Sequence, residues 1–516
     1  MVFRSFVLLA TSLVGLVPAL AQAASSKSAP TRSHVERFST IETRAERVES
    51  DANGKLIANP NDAAALNLRG VARLFLGRYP EAAEDLRHAV SLKPDDSTYQ
   101  ANLGSALWKV GQVRDAINAE QVALKLNDNN FTAHYQLGRF LLRAGEPLRL
   151  AEAAQHLRRA IEIDPRQYDV RFELIAVCRA LGDRAQASNQ LDFLLYARPS
   201  DPRVFYVSGL LATDRDDMDS AIKDFKEAVN RDPTFFNAWQ DLGVAYIKLK
   251  RWTEAVDTFS ELVRLLPDSV DAVYLQALSL YNAGRFQQAE EGVRRALRIN
   301  AGAAEAHTLL GIILGSRRNA TAEAIEALSQ AVALNPNSFD AHFYLGRVLY
   351  AAKDYDGAIK NLRKAVKLDP RHGEARFFLG TALEASGQSD AALLEYEALA
   401  DSDPKSAMGQ LGLGALLVKQ GKIGEAINAL RRAIGLDPKS FEAHWALGRA
   451  LILAERFAEA VESLKAAVSL VPDRPDAHYQ LGLALKRLGR TEEANREFAT
   501  VDRLNTEFRT NALPKQ

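Results

Sequence analysis

An all-α solenoid of antiparallel helix pairs is the fold class this sequence predicts, and three observations predict it. Along 516 residues a 34-residue period places Gly, then Ala twelve residues on, then Pro twelve further, and it runs thirteen times between Ala63 and Phe508. Apolar pairs such as Leu345 with Leu349, or Leu481 with Leu485, stand i, i+4 beside the Gly, the spacing of one helical face. The Pro ends each unit, because it cannot continue a helix and biases the residue before it towards extended geometry.

With each repeat numbered from one, position eight is Gly in eleven of thirteen repeats, Ile175 and Ala277 being the exceptions. Position twenty is Ala in all thirteen, from Ala82 to Ala494, and position thirty-two is Pro in ten, from Pro94 to Pro472. Three extra residues near Pro147 and one near Arg318 close the frame over residues 63 to 508 without remainder. A Gly inside a helix costs about 1 kcal/mol relative to Ala. Its recurrence therefore implies close approach of the first helix of each repeat to the second, where the small Ala sits. Asp201, Ser269, Ser338, Ser406 and Ser440 follow the Pro by two residues and are the predicted N-caps.

The stretches FEAHWALGRALILAERFAEAVESLKAAVSLVPDR (441–474) and FNAWQDLGVAYIKLKRWTEAVDTFSELVRLLPDS (236–269) resemble the tetratricopeptide repeat. The resemblance implies a right-handed superhelix whose concave side is lined by positions five, nine, twelve and thirteen of each first helix. Position five is aromatic in eight repeats: Tyr135, Phe172, Tyr206, Tyr274, Phe343, Phe377, Trp445 and Tyr479. Across the four positions stand ten basic residues, Lys109, Arg139, Arg143, Arg179, Lys248, Arg347, Lys419, Arg449, Lys486 and Arg487, against Asp214 and Glu384. The expected partner-binding set is therefore those eight rings with Arg139, Arg143, Arg347, Arg449 and Arg487.

Two readings of that set stay open. In one, the rings and Arg forks hold an extended acidic or carboxylate-ended segment. In the other, the family pattern itself favours Tyr at position five, and Lys or Arg near the end of the first helix offsets its dipole. Two better-defined family mechanisms do not fit. Of the carboxylate clamp of chaperone-binding members only Asn102 is present. Position six, which includes Leu68, Glu173, Asp241, Tyr344 and Phe378, carries no asparagine ladder of the kind found in the O-linked N-acetylglucosamine transferase.

Lys plus Arg and Asp plus Glu both number 65, so the formal net charge is zero and there is no bulk electrostatic case for nucleic acid or an anionic membrane surface. The single cysteine, Cys178, excludes an intramolecular disulfide and reads as a small buried hydrophobe. Five of nine histidines share position four: His134, His307, His342, His444 and His478. Successive ones are separated by a helix pair, at about 8–10 Å per interhelical contact, so they cannot share one zinc and are expected to pack between helices. No HExxH, GxSxG, phosphate-loop or paired-Cys motif occurs; no catalytic, cofactor or metal site is expected, and the chain is not expected to be an enzyme.

The expected organisation is a signal peptide over 1–23, a flexible lead and capping helix over 24–62, the repeat array over 63–508 and a polar tail over 509–516. Arg4, the apolar run from Phe6 to Leu20 and Ala21-Gln22-Ala23 have the layout of a cleaved secretory signal, the rival being an uncleaved anchor. Export to a periplasm or out of the cell follows, with no membrane span once the signal is removed. Asn130-Phe131-Thr132 and Asn319-Ala320-Thr321 match the glycosylation sequon. The seventh repeat has Ala277 and Ala301 in place of the usual Gly and Pro and is followed by a one-residue insertion near Ser316 to Thr321, so residues 301 to 321 are expected to form a softer joint. The expected function is a non-catalytic scaffold that binds extended segments of proteins or peptides in the groove, without nucleic acid. The alternative is an accessory subunit presenting substrates to a separate enzyme such as a glycosyltransferase.

Overall fold

The computed structural model describes residues 32–145, 147–317 and 321–512. The expected signal, the lead up to Thr31, the Asn319 sequon and residues 513–516 lie outside the described residues. Among those described, all regular structure is helical. The chain divides into two compact units at Gly284/Arg285. The N-terminal unit holds the helix Arg32–Ala58, repeats 1 to 6, from Ala63–Phe75 with Tyr79–Leu92 to Phe236–Lys248 with Trp252–Leu265, and the first helix of repeat 7, Val270–Asn282. The C-terminal unit begins with Phe286–Ile299 and ends with repeat 13, Pro475–Arg487 and Thr491–Ala512. Residues 509–512, expected in the tail, continue that last helix.

The division falls inside repeat 7, not in the joint expected at 301 to 321. There the helix Ala304–Gly315 buries Leu309, Ile312, Ile313 and Leu314, and a Cβ placed on its Gly311 would lie 2.3 Å from Leu328 Cγ in the helix Thr321–Leu334. At the other end the helix Arg32–Ala58 packs Leu56 against Ala63, Ala65 and Leu66 of repeat 1. Its buried Glu49 accepts from Arg73 Nε and Arg78 Nη1, both at 3.0 Å.

The position-eight Gly makes room for more than the Ala. A Cβ on Gly243 would stand 2.5 Å from Phe259 Cζ, one on Gly448 2.4 Å from Leu464 Cγ, and one on Gly70 2.6 Å from Leu86 Cγ. Each partner is position twenty-four of the second helix, a large buried side chain that drops into the gap. The Ala contributes its backbone: Ala82 O would be 3.2 Å from the Gly70 Cβ.

The turn inside each repeat adds a requirement that the Gly–Ala–Pro period does not show. Position fifteen has positive φ in every repeat in which that residue is described, as Gly77 (75°), Gly111 (81°) and Gly421 (76°), but also as Lys250 (57°), Lys353 (66°) and Glu455 (58°). A Cβ on Gly111 meets nothing within 4 Å, so its substitution isolates backbone strain. Gly111→Ala is expected to destabilise the N-terminal unit by about 1–2 kcal/mol, read by chemical denaturation. Lys353→Gly, which relieves the same strain, is expected to leave stability unchanged or raised.

Between repeats the side chains do local work. Asp201, Ser269, Ser338, Ser406 and Ser440 are all N-caps whose side-chain oxygens accept from the first turn. The position-four histidines close the preceding turn: Nε2 of His134, His307, His342, His444 and His478 lies 2.9, 3.0, 3.1, 3.2 and 2.9 Å from the carbonyl six residues earlier. Trp239 Nε1 donates to Pro233 O in the same way, at 3.0 Å. Asn130 is an N-cap whose Oδ1 accepts from Ala133 N at 3.0 Å and whose Nδ2 donates to Ser97 Oγ at 2.7 Å, so the amide a glycan would need is already engaged. Cys178 is buried, and burial pushes its thiol up to about 11.

Candidate partner-binding surface

Six of the thirteen expected residues lie in the N-terminal unit and seven in the C-terminal unit. In the first, Tyr135 is half-buried with the Arg139 guanidinium 5.1 Å from its ring centroid. Arg139 Nε and Arg143 Nη2 donate to the same carboxylate oxygen, Glu173 Oε1, at 3.0 and 3.1 Å. Phe172 is covered by Arg203, 4.6 Å from its centroid. Arg179 and Asp214 form a two-pronged pair at 2.6 and 3.0 Å. The Tyr206 hydroxyl donates to Asp241 Oδ2 at 2.8 Å. Burial raises both groups of that pair, the tyrosine and the carboxyl, because each charged form would lose water. Tyr274 is half-buried on the last helix of the unit.

Arg139 and Arg143, expected to face a partner's acid, are not open cations: both pair with one carboxylate, Glu173 of the next repeat, which balances one of their two charges. Glu173 stands at position six, outside the four positions counted, and an ion pair 34 residues away in sequence is a neighbour across stacked helices.

In the C-terminal unit Phe343 is only 2% exposed. It is a core ring and not a groove residue, set among Phe339, Tyr344, His372 and Phe378 at 5.6, 5.1, 5.2 and 6.1 Å between centroids. The half-buried rings beside it, Tyr344 and Phe378, come from position six, and the Arg347 guanidinium lies over them at 5.7 and 4.6 Å. Phe377 is half-buried against Tyr396, 5.8 Å away. Lys419 Nζ pairs with Glu384 Oε1 at 2.5 Å.

The far end of this unit differs. Exposed Arg449 lies 4.8 Å over the half-buried Trp445 ring, and Tyr479 is 47% exposed. Lys486 and Arg487 are exposed at the end of the helix Pro475–Arg487, which packs beside Phe441–Leu453. The missed contributors, Glu173, Asp241, Tyr344 and Phe378, share position six. Reading that row for charge and aromaticity, and not only for asparagine, exposes them.

The fold defines a helical-repeat protein. Among the described residues no group of three His, Cys, Asp or Glu is placed to hold a metal ion, and no helix is long and apolar enough to cross a membrane. Two family models, both described as tetratricopeptide repeat, match residues 51–97, 102–168, 274–322, 309–366 and 411–475, and 149–211, 212–278, 349–413 and 451–509. The chain belongs to the tetratricopeptide repeat family.

It is similar to human protein O-mannosyl-transferase TMTC3, 26% identical over 220 residues that make up 42% of this chain and 24% of that protein. Similarity to the peroxisomal targeting signal receptor of Saccharomyces cerevisiae is 27% identity over 247 residues, 46% of this chain and 39% of that one. The BBSome complex member BBS4 homolog of Drosophila melanogaster is 22% identical over 269 residues, 50% and 54% of the two chains. The chain thus spans between about a quarter and just over half the length of these relatives. Among solved structures, the APC/C hetero-tetramer Cut9-Hcn1 is 14% identical over 95% of this chain and 96% of the matched chain, with a TM-score of 0.46.

Proposed function

We propose that the chain is a non-catalytic interaction scaffold that holds extended peptide segments along the first helices of its repeats. The observation that carries this is that each unit, taken by itself, has half-buried rings under guanidinium groups at positions five, six and nine, suited to cover apolar side chains and pair with carboxylates. Selection for acidic or carboxylate-bearing segments resides at the end of the C-terminal unit, in Trp445, Arg449, Tyr479 and Arg487. In the N-terminal unit Glu173, Asp214 and Asp241 occupy the cations and hydroxyl that would otherwise be offered. The similarity to a receptor named for a targeting signal supports a peptide as ligand.

The signal-like layout of residues 1–23 supports a location outside the cytoplasm, in a periplasm or secreted, and in that setting the scaffold would serve envelope assembly or export. A second reading, an accessory subunit presenting substrates to a separate glycosyltransferase, draws support from the similarity to a protein O-mannosyl-transferase. Co-purification from an envelope extract separates them, an export component supporting the first and a transferase the second.

The surface itself is tested by fluorescence anisotropy with short labelled Glu-rich and Lys-rich peptides. The Glu-rich peptide is expected to bind, and Arg449→Glu with Arg487→Glu to weaken it at least about tenfold, ~1.4 kcal/mol. Arg139→Glu is expected to have a smaller effect, because Arg139 is already paired. Equal affinity for both peptides, or no change in the double variant, counts against the assignment.

A further inference from the structure

Glu120 occupies position twenty-four of repeat 2, where Leu86, Leu157, Phe225, Phe259, Leu362 and Tyr396 stand in other repeats. It is 0% exposed, and neither Oε1 nor Oε2 has a hydrogen-bond partner. A Cβ on Gly104 would lie 2.5 Å from Glu120 Oε1, so the carboxyl sits in the gap between the helices Ser97–Lys109 and Val113–Leu126. The buried faces there are apolar, with Leu103, Leu107, Ala116, Ile117 and, from Phe131–Arg143, Leu137.

No charge on the packed helices answers it. The ionisable side chains they turn inward are Tyr99, His134 and the half-buried Tyr135, whose ring lies under the Arg139 guanidinium. Tyr99 lies in the cluster with Leu56 and Ala89, and both His134 ring nitrogens are engaged, by Asp128 O and His156. Lys109, Arg114, Asp115 and Lys125 are exposed on the outer faces, and Arg139 and Arg143 are held by Glu173. Burial alone pushes the Glu120 carboxyl well above the usual carboxylate range.

We propose that the helix pair of repeat 2 is a proton-gated latch, closed while Glu120 is protonated and opening with release of that proton. A carboxylate cannot remain in this gap without a counter-charge or donors, whereas water satisfies it once the helices part. Opening bares Leu103, Leu107 and Ile117, so the N-terminal unit exposes apolar surface at one defined repeat. The sign follows from linkage. The closed form holds the proton more tightly than the open one, so the latch is strongest below the ordinary glutamate range. Between that range and its raised folded value, the opening equilibrium gains about tenfold per pH unit.

Hydrogen exchange of the full chain, read by mass spectrometry at pH 5.5, 6.5 and 7.5 and corrected for intrinsic rates, tests this, since the linkage slope is about tenfold per unit. Protection across residues 97–126 is expected to fall as pH rises in the wild type, by up to about that factor per step, while residues 373–402 stay level. In Glu120→Gln the pH dependence is expected to vanish, and Glu120→Leu, which restores the usual side chain, is expected to be both flat and more protected. Level protection of 97–126 in the wild type, or a slope that persists in Glu120→Gln or Glu120→Leu, overturns the proposal.

Discussion

Tyr396→Ala is expected to destabilise the C-terminal unit by about 3–5 kcal/mol, the range for removing a fully buried aromatic ring from a core. Tyr396 lies in the second helix of repeat 10, Ser389–Ser402, and is 2% exposed. Its ring fills the space left by two glycines on different helices: a Cβ on Gly380 would lie 2.6 Å away and one on Gly412 2.5 Å away. The hydroxyl stands 3.3 Å from both Thr381 Oγ1 and Glu384 Oε2, and Glu384 also pairs with Lys419. The ring therefore joins repeats 10 and 11, and neither glycine can supply atoms to close the cavity its loss leaves. Tyr396→Phe keeps the ring and is expected to lose only about 1 kcal/mol, the worth of a typical hydrogen bond. Chemical denaturation of both variants separates packing from hydrogen bonding; similar losses in the two would show that the hydroxyl, not the ring, holds the repeats together.

Glu120→Leu is expected to raise stability, where most core substitutions lower it. Removing two buried oxygens without partners is worth about 1–3 kcal/mol even when the carboxyl is protonated. Above the ordinary glutamate range the unfolded chain releases a proton that the native chain keeps, so wild-type stability falls with pH by up to ~1.4 kcal/mol per unit. The advantage of Glu120→Leu is thus expected to be larger at pH 7 than at pH 4, where both states hold the proton. Denaturation midpoints of the two proteins across that range measure it. A difference independent of pH would show that Glu120 does not carry its proton into the fold.

The signals that proved readable in sequence were those whose physics is local and repeats. Pro at position thirty-two and the caps at Asp201, Ser269, Ser338, Ser406 and Ser440 act within a few residues of themselves, so each repetition restates the same helix end. Glu120 was also in view, as the polar member of a column of Leu, Phe and Tyr, but that column has meaning only once position twenty-four is known to face the Gly. The left-handed turn at position fifteen was half-hidden because Asp216, Lys250, Lys353 and Glu455 take it without being glycine.

Sequence alone determined the helical-repeat class, the thirteen-fold frame and the positions reserved for packing, because a 34-residue period satisfied by helix caps, breakers and small residues admits one kind of stack. Tertiary structure decided which side chains remain available to a partner. Arg139 with Glu173, Arg179 with Asp214 and Tyr206 with Asp241 lie 34 or 35 residues apart and meet only where neighbouring repeats stack. Burial of Phe343 likewise draws on a ring from the next repeat, Phe378. The period specifies what each repeat is made of, whereas exposure and charge pairing at its surface belong to the contact between two repeats, and no single repeat encodes them.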